Sequence, residues 1–263
     1  PVLNPRSILA DPSSPEVAYS DSPNGLYRTR DGGATWQLAG PPGAQLLAAD
    51  PAQSTRLYLR AASGIYRSDD GVDSWQLLSD AEPASQVSLL AVGPGAPPVL
   101  IAAYSPSGPI GFTQEVIVRS DDNGTTWTQL TGVVGTVSAI VVDPEDSQRL
   151  WVGYYGDPRG GVGGVSRSFD GGATWQDAPV EPGASAVFSL ALDPSDPNTL
   201  FAGTSSGVLV TRDAGTTWQP LPSGLPPGGV AGLAVRQGTR NVLFAASSGG
   251  VYALELGSAA NQR

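Results

Sequence analysis

The segment Thr29-Arg-Asp-Gly-Gly-Ala-Thr-Trp36 decides the fold, because its pattern occurs five times in the sequence. The other copies are Ser68-Asp-Asp-Gly-Val-Asp-Ser-Trp75, Ser120-Asp-Asp-Asn-Gly-Thr-Thr-Trp127, Ser168-Phe-Asp-Gly-Gly-Ala-Thr-Trp175 and Thr211-Arg-Asp-Ala-Gly-Thr-Thr-Trp218. Each lies between two short β-forming runs and therefore reads as a hairpin loop. The residue types suit a tight turn: the aspartate accepts hydrogen bonds from backbone amides across the loop, glycine supplies positive φ, and tryptophan anchors the following strand. The second copy carries Val72 where the others carry glycine, which predicts a distorted turn there.

Working outward, the same four strands recur around each loop. Blade five shows them most clearly, as Val187–Asp193, Thr199–Thr204, Gly207–Thr211 and Thr217–Leu221. A four-stranded antiparallel sheet repeated in this way is a propeller blade, so the predicted fold is all-β, a six-bladed β-propeller forming one domain over residues 1–263. The sixth unit supplies only Val230–Arg236, Asn241–Ser247 and Gly250–Leu256 and has no aspartate loop. Its fourth strand is expected from Val2–Asn4, which precedes the first inner strand Ser7–Asp11 and would protect an otherwise open sheet edge.

The repeated segment resembles the Asp-box, or bacterial neuraminidase repeat, of sialidases, xyloglucan-cleaving glycosidases, sortilin-type receptors and photosystem II assembly factors. That resemblance covers nearly the whole sequence and implies a structural role for Asp31, Trp36, Asp70, Trp75, Asp122, Trp127, Asp170, Trp175, Asp213 and Trp218. It implies no single activity, because the superfamily includes both enzymes and binding proteins.

Composition removes several chemistries. The protein has no His, Cys, Met or Lys, all 14 basic residues being Arg. Serine–histidine–acid triads, thiol nucleophiles, His or thiolate zinc sites and lysine Schiff bases are thereby excluded. The net charge of −10 disfavours nucleic acid and anionic membrane, and no apolar run is long enough to span a bilayer. No cofactor and no metal are expected: the Asp69–Asp70 and Asp121–Asp122 pairs lack the six to eight oxygens that calcium demands. The protein is expected to be a monomer in an extracytoplasmic, bacterial setting.

What recurs in every blade is architecture, and what breaks the recurrence is a candidate for function. Arg28, Arg67, Arg119 and Arg167 share one register of the third strand and read as surface or inter-blade ion pairs; Asp11, Asp50, Asp143 and Asp193 end four inner strands and read as turn residues. The loop aspartates are spaced by 39, 52, 48 and 43 residues, so blades three and four carry extra length, mostly in Ser105–Gln114 and Gly156–Gly163. These loops are expected on the face opposite the Asp-boxes, making a rim with Tyr104, Phe112, Gln114, Tyr154, Tyr155, Asp157, Arg159 and Glu181. Aromatics beside a few polar groups suit a protein- or sugar-binding surface.

A glycosidase needs two carboxyl groups facing one bond, with Asp21, Asp80, Glu82, Asp157, Asp177 and Glu181 as candidates, but none forms a recognisable motif. The expected function is therefore non-catalytic, an interaction or assembly propeller that binds a protein or glycan through this rim. The alternative is an extracytoplasmic glycoside hydrolase of sialidase-like type.

Overall fold

The computed structural model describes residues 7–11, 14–41, 43–61, 63–79, 86–106, 115–133, 135–156, 163–178, 180, 186–221 and 228–256. Every element among them is a β-strand. Blade one comprises β1 (Ser7–Ala10), β2 (Ala18–Ser22), β3 (Gly25–Thr29) and β4 (Gln37–Leu38); blade two comprises β5 (Gln45–Asp50), β6 (Gln53–Ala61), β7 (Gly64–Ser68) and β8 (Gln76–Ser79). Blade three is β9 (Val87–Gly93), β10 (Val99–Tyr104), β11 (Val116–Ser120) and β12 (Thr128–Leu130), and blade four is β13 (Thr136–Val142), β14 (Leu150–Tyr155), β15 (Gly164–Ser168) and β16 (Gln176–Ala178). Blade five runs β17 (Val187–Asp193), β18 (Asp196–Thr204), β19 (Gly207–Thr211) and β20 (Gln219–Pro220); blade six runs β21 (Val230–Arg236), β22 (Val242–Ser247) and β23 (Gly250–Glu255).

In every sheet the strands lie side by side in sequence order, as an antiparallel meander. This is the six-bladed propeller predicted from the repeats, with boundaries in blades five and six within a few residues of those read from sequence. Blade six contributes three strands among the described residues, and Val2–Asn4 lies outside them.

The protein divides into two compact units, one carrying blades one to three and the other blades four to six. Within each, neighbouring sheets are held by apolar side chains facing the next blade. In the first unit Tyr19, Leu26, Leu57 and Val72 join blade one to blade two, and Tyr58, Ile65, Leu100 and Val118 join blade two to blade three. In the second, Trp151, Val187, Leu200 and Trp218 bind blade four to blade five, while Phe201, Val210, Val230 and Leu243 bind five to six. At ~25 cal/mol per Å² of apolar area removed from water, these seams are the main source of stability.

One polar contact recurs at the seams. The large side chain in the second strand reaches the aspartate loop of the following blade: Tyr58 Oη donates to Asn123 Oδ1 at 3.1 Å, and Trp151 Nε1 donates to the Ala214 carbonyl at 3.0 Å. A ring is thus packed while its polar tip is satisfied, which burial otherwise penalises.

The aspartate loops are near-identical in geometry. In the blade-four loop, Asp170 Oδ1 accepts from the Thr174 amide at 2.8 Å and from Ser168 Oγ at 2.8 Å, and Oδ2 accepts from Thr174 Oγ1 at 2.6 Å. Ser168 Oγ in turn accepts from the Gly172 amide at 2.8 Å. Asp31, Asp70, Asp122 and Asp213 repeat the set with their own Thr or Ser partners. These bonds favour the charged carboxylate and hold Asp31, Asp70, Asp122 and Asp170 at a pKa of about 2; Asp213 is lowered too, against the upward pull of burial.

The expected distortion at Val72 does not occur. Val72 takes φ 73°, close to the positive φ of its glycine counterparts, and its amide reaches Ser68 Oγ at 2.9 Å as in the other loops. Burial of the side chain beside Tyr19 and Leu26 offsets the left-handed strain of a β-branched residue.

Candidate functional site

Blades one to five each have two ends: one carries the aspartate loop between the third and fourth strands, and the other, the rim end, carries the turn between the second and third strands and the link to the next blade. The first strands of adjacent blades lie against one another, β5 with β9 in the first unit and β13, β17 and β21 successively in the second.

Near the rim end these inner strands share a feature that periodicity did not reveal. Blades two to six each have one inner-strand residue without a partner opposite: Leu47, Ser88, Ser138, Phe188 and Ala231. Each is a β-bulge at the same register, and bulges re-aim side chains. The bulge is architecture, but its side chain changes. Ser138 Oγ donates to the Val187 carbonyl of the next inner strand at 2.6 Å, whereas Phe188 makes no such bond and is 38 % exposed.

Tyr155 stands close by. It pairs with Ala186 in an isolated bridge, joining the rim end of blade four to the start of the blade-five inner strand, and is 42 % exposed. Tyr154, expected on the rim beside it, instead points inward and is buried. A Cβ on Gly164 would lie 2.8 Å from the Tyr154 hydroxyl and one on Gly135 would lie 3.0 Å from its ring, so both glycines are needed for its seat. Strand alternation separates the two tyrosines.

Of the other predicted rim residues, Tyr104 ends β10 in the first unit, half-buried against the seam of blades two and three. Phe112, Gln114, Asp157, Arg159 and Glu181 lie outside the described residues, as do Asp80 and Glu82. Two candidate acids are described. Asp21 is buried in β2 and accepts a short hydrogen bond from Ser7 Oγ, and Asp177 lies on the outermost strand of blade four, accepting from Ser166 Oγ at 2.8 Å.

The structural reading of the inner-strand aspartates fits their contacts. Asp50, Asp143 and Asp193 each accept from the amide two residues on, at 2.8, 2.9 and 3.0 Å, as Asx turns. The third-strand arginines divide. Arg28 pairs with Asp73, Arg67 with Asp69 and Arg119 with Asp121, whereas Arg167 donates to the Ala214 carbonyl, Thr216 Oγ1 and Gln176 Oε1. Among the described residues no group of three or more acidic side chains is placed to hold a metal ion, and no helix is long and apolar enough to cross a membrane.

No protein-family model matches the sequence, and no curated protein does. Solved structures do match. The fold is similar to that of an ancestral GH74 enzyme, with TM-score 0.74 and 21 % identity over 99 % of this protein, which spans 37 % of the enzyme's length. It is also similar to PorZ, described as a bacterial surface component of the type-IX secretion system of Porphyromonas gingivalis, with TM-score 0.69 and 16 % identity over 98 % of this protein and 40 % of PorZ. YCF48 bound to D1 peptide matches with TM-score 0.62 and 16 % identity over 92 % of this protein and 76 % of that one. At these identities the likeness establishes the propeller fold, on which both hydrolases and assembly proteins are built.

Proposed function

We propose that this protein is an Asp-box propeller acting as a non-catalytic interaction module, binding a protein partner at the rim end of blades four and five. The observation that carries the reading is the pair Tyr155 and Phe188, two exposed aromatics brought to neighbouring strands by the Tyr155–Ala186 bridge and the Phe188 bulge. Exposed aromatics on rigid strands present large contact area at low entropic cost. YCF48, described as bound to D1 peptide, supports reading a similar propeller as a peptide holder. Asp157 and Arg159, which follow Tyr155 in sequence, are proposed to supply the polar groups. An extracytoplasmic setting accords with the likeness to PorZ.

The likeness to a GH74 enzyme favours glycan recognition or hydrolysis as the second reading. Both are tested by co-purification from extract of the native organism, comparing wild type with a Tyr155→Ala/Phe188→Ala variant of unchanged melting temperature. A protein retained by the wild type and lost from the variant supports the proposal. Retention by both overturns the placement, and release of chromophore from an aryl-glycoside panel overturns the non-catalytic reading.

A further inference from the structure

At its aspartate-loop end, opposite the rim, blade four departs from blades one to three. In blade two, the Nε and Nη2 edge of Arg67 grips Asp69, at 2.9 Å from Nε and 2.8 Å from Nη2. In blade three the same edge of Arg119 grips Asp121, at 3.0 and 2.8 Å. Blade one meets the need differently, through Asp73 of the next loop, 2.7 Å from Arg28 Nη1. Blade four breaks this rule twice. Phe169 stands where blades two and three have aspartate, and Thr216 stands where Asp73 would be.

Arg167 nevertheless keeps its remaining contacts. Nη1 donates to the Ala214 carbonyl at 3.2 Å and to Thr216 Oγ1 at 2.6 Å, and Nη2 donates to Gln176 Oε1 at 3.2 Å, much as Arg67 reaches Gln76. These hydrogen bonds fix the guanidinium and leave its Nε buried without an acceptor among the described residues. A buried donor on a charged group without an acceptor is costly and marks a place where an anion is favoured. The Phe169 ring lies against that guanidinium, 5.5 Å from ring centroid to Cζ, and Arg149 approaches the same ring at 5.7 Å. Arg149 is already paired with Asp143 at 3.1 Å, so the uncompensated charge belongs to Arg167. Phe169 is 45 % exposed, and its ring also meets Trp151 edge-to-face, 6.4 Å between centroids.

We propose that Arg167, with Phe169 as its movable cover, is a carboxylate-binding site on the aspartate-loop end of blade four, receiving from a partner the acid that Asp69 and Asp121 supply internally. The ligand carboxylate takes the Nε and Nη2 edge of Arg167 once Phe169 swings outward, and an apolar group beside the carboxylate packs on the displaced ring. Two sources share this chemistry, an acidic side chain and the terminal carboxylate of a polypeptide. The site lies at the other end of the blade from the rim aromatics and stands independently of them.

The test is the Arg Nε–H region of a ¹H–¹⁵N correlation spectrum, titrated with acetyl-Gly-Glu-Gly-amide, with acetyl-triglycine bearing a free carboxylate, and with neutral acetyl-Gly-Gln-Gly-amide. One acidic peptide, and not the neutral one, is expected to shift a single Nε–H resonance saturably, and the peptide that does so identifies the source. Phe169→Ala uncovers the edge and should bind more tightly. Phe169→Asp rebuilds the internal ion pair of blades two and three; it should fold, move the same resonance without ligand, and weaken peptide binding by about tenfold, the loss of one charge-assisted hydrogen bond. If neither wild type nor folded Phe169→Ala responds to either acidic peptide at saturating concentration, the site does not exist. An equal response from Phe169→Asp would place binding elsewhere and equally overturn it.

Discussion

Trp151 of β14 donates its indole N–H to the main-chain carbonyl of Ala214, 3.0 Å away in the aspartate loop of the next blade. The ring is fully buried. Trp151→Phe keeps most of the packing and removes the hydrogen bond, leaving the Ala214 carbonyl with Arg167 alone; a loss of about 1 kcal/mol is expected. Trp151→Ala adds a cavity and should cost about 3–5 kcal/mol. Urea unfolding of the two variants separates the polar share of the seam from the apolar share.

Tyr154 and Tyr155 are neighbours in sequence and opposites in environment. Tyr154→Ala empties a buried seat shaped by two glycines and should destabilise by about 3–5 kcal/mol, while Tyr155→Ala should change stability by less than about 0.5 kcal/mol. Thermal melts of the two single variants check this. Equal losses would make Tyr155 a packing residue and remove the anchor from the proposed rim site.

At Val72 the backbone wants glycine and the seam wants a large side chain. Val72→Ala gives up packing while keeping the left-handed strain and is expected to lose about 1–2 kcal/mol. Val72→Gly gives up more packing but releases about 1 kcal/mol of strain, so it should be at least as stable as the alanine variant. Chemical denaturation gives the order. Alanine clearly above glycine would mean that the strain is negligible.

The aspartate loops make acid sensitivity a built-in property. Four of their carboxyls have pKa values of about 2 in the folded protein, below the ordinary 3.8 that they regain on unfolding. Between those values the unfolded state binds more protons, so this contribution is complete above about pH 5 and declines as pH falls toward 2. Melting temperature should therefore drop steeply over that window. Asp122→Asn and Asp170→Asn should lower stability at neutral pH and flatten the acid slope; an unchanged slope would assign it to other carboxyls.

The sequence displayed the loops and strands because both are local patterns. Blade five was readable almost residue by residue, since its apolar runs are short and bounded by Asp-Pro, Ser-Gly and the loop itself. The bulges were not readable, because an extra residue inside an apolar run such as Val187–Leu190 leaves no mark until the partner strand is known. Phe188 was missed for that reason. Which of two adjacent tyrosines faces inward depends on absolute register, fixed by the close approach of Gly135 and Gly164. The carboxylate site leaves no local mark, because its position reads Arg30, Asp69, Asp121, Phe169 and Arg212 across the five loops, and only the contacts that Asp69 and Asp121 make give Phe169 its meaning.

The seam contacts of Arg28 and Trp151 share one property: each reaches a peptide carbonyl of the next blade, at Gly71 and Ala214. A carbonyl is present whatever residue stands there. At these two joints an acceptor therefore survives substitution of the loop residue that carries it, whereas the Asn123 side chain that receives Tyr58 does not. There the side chains of the loop surface can change toward new partners while the joint beneath keeps its lock.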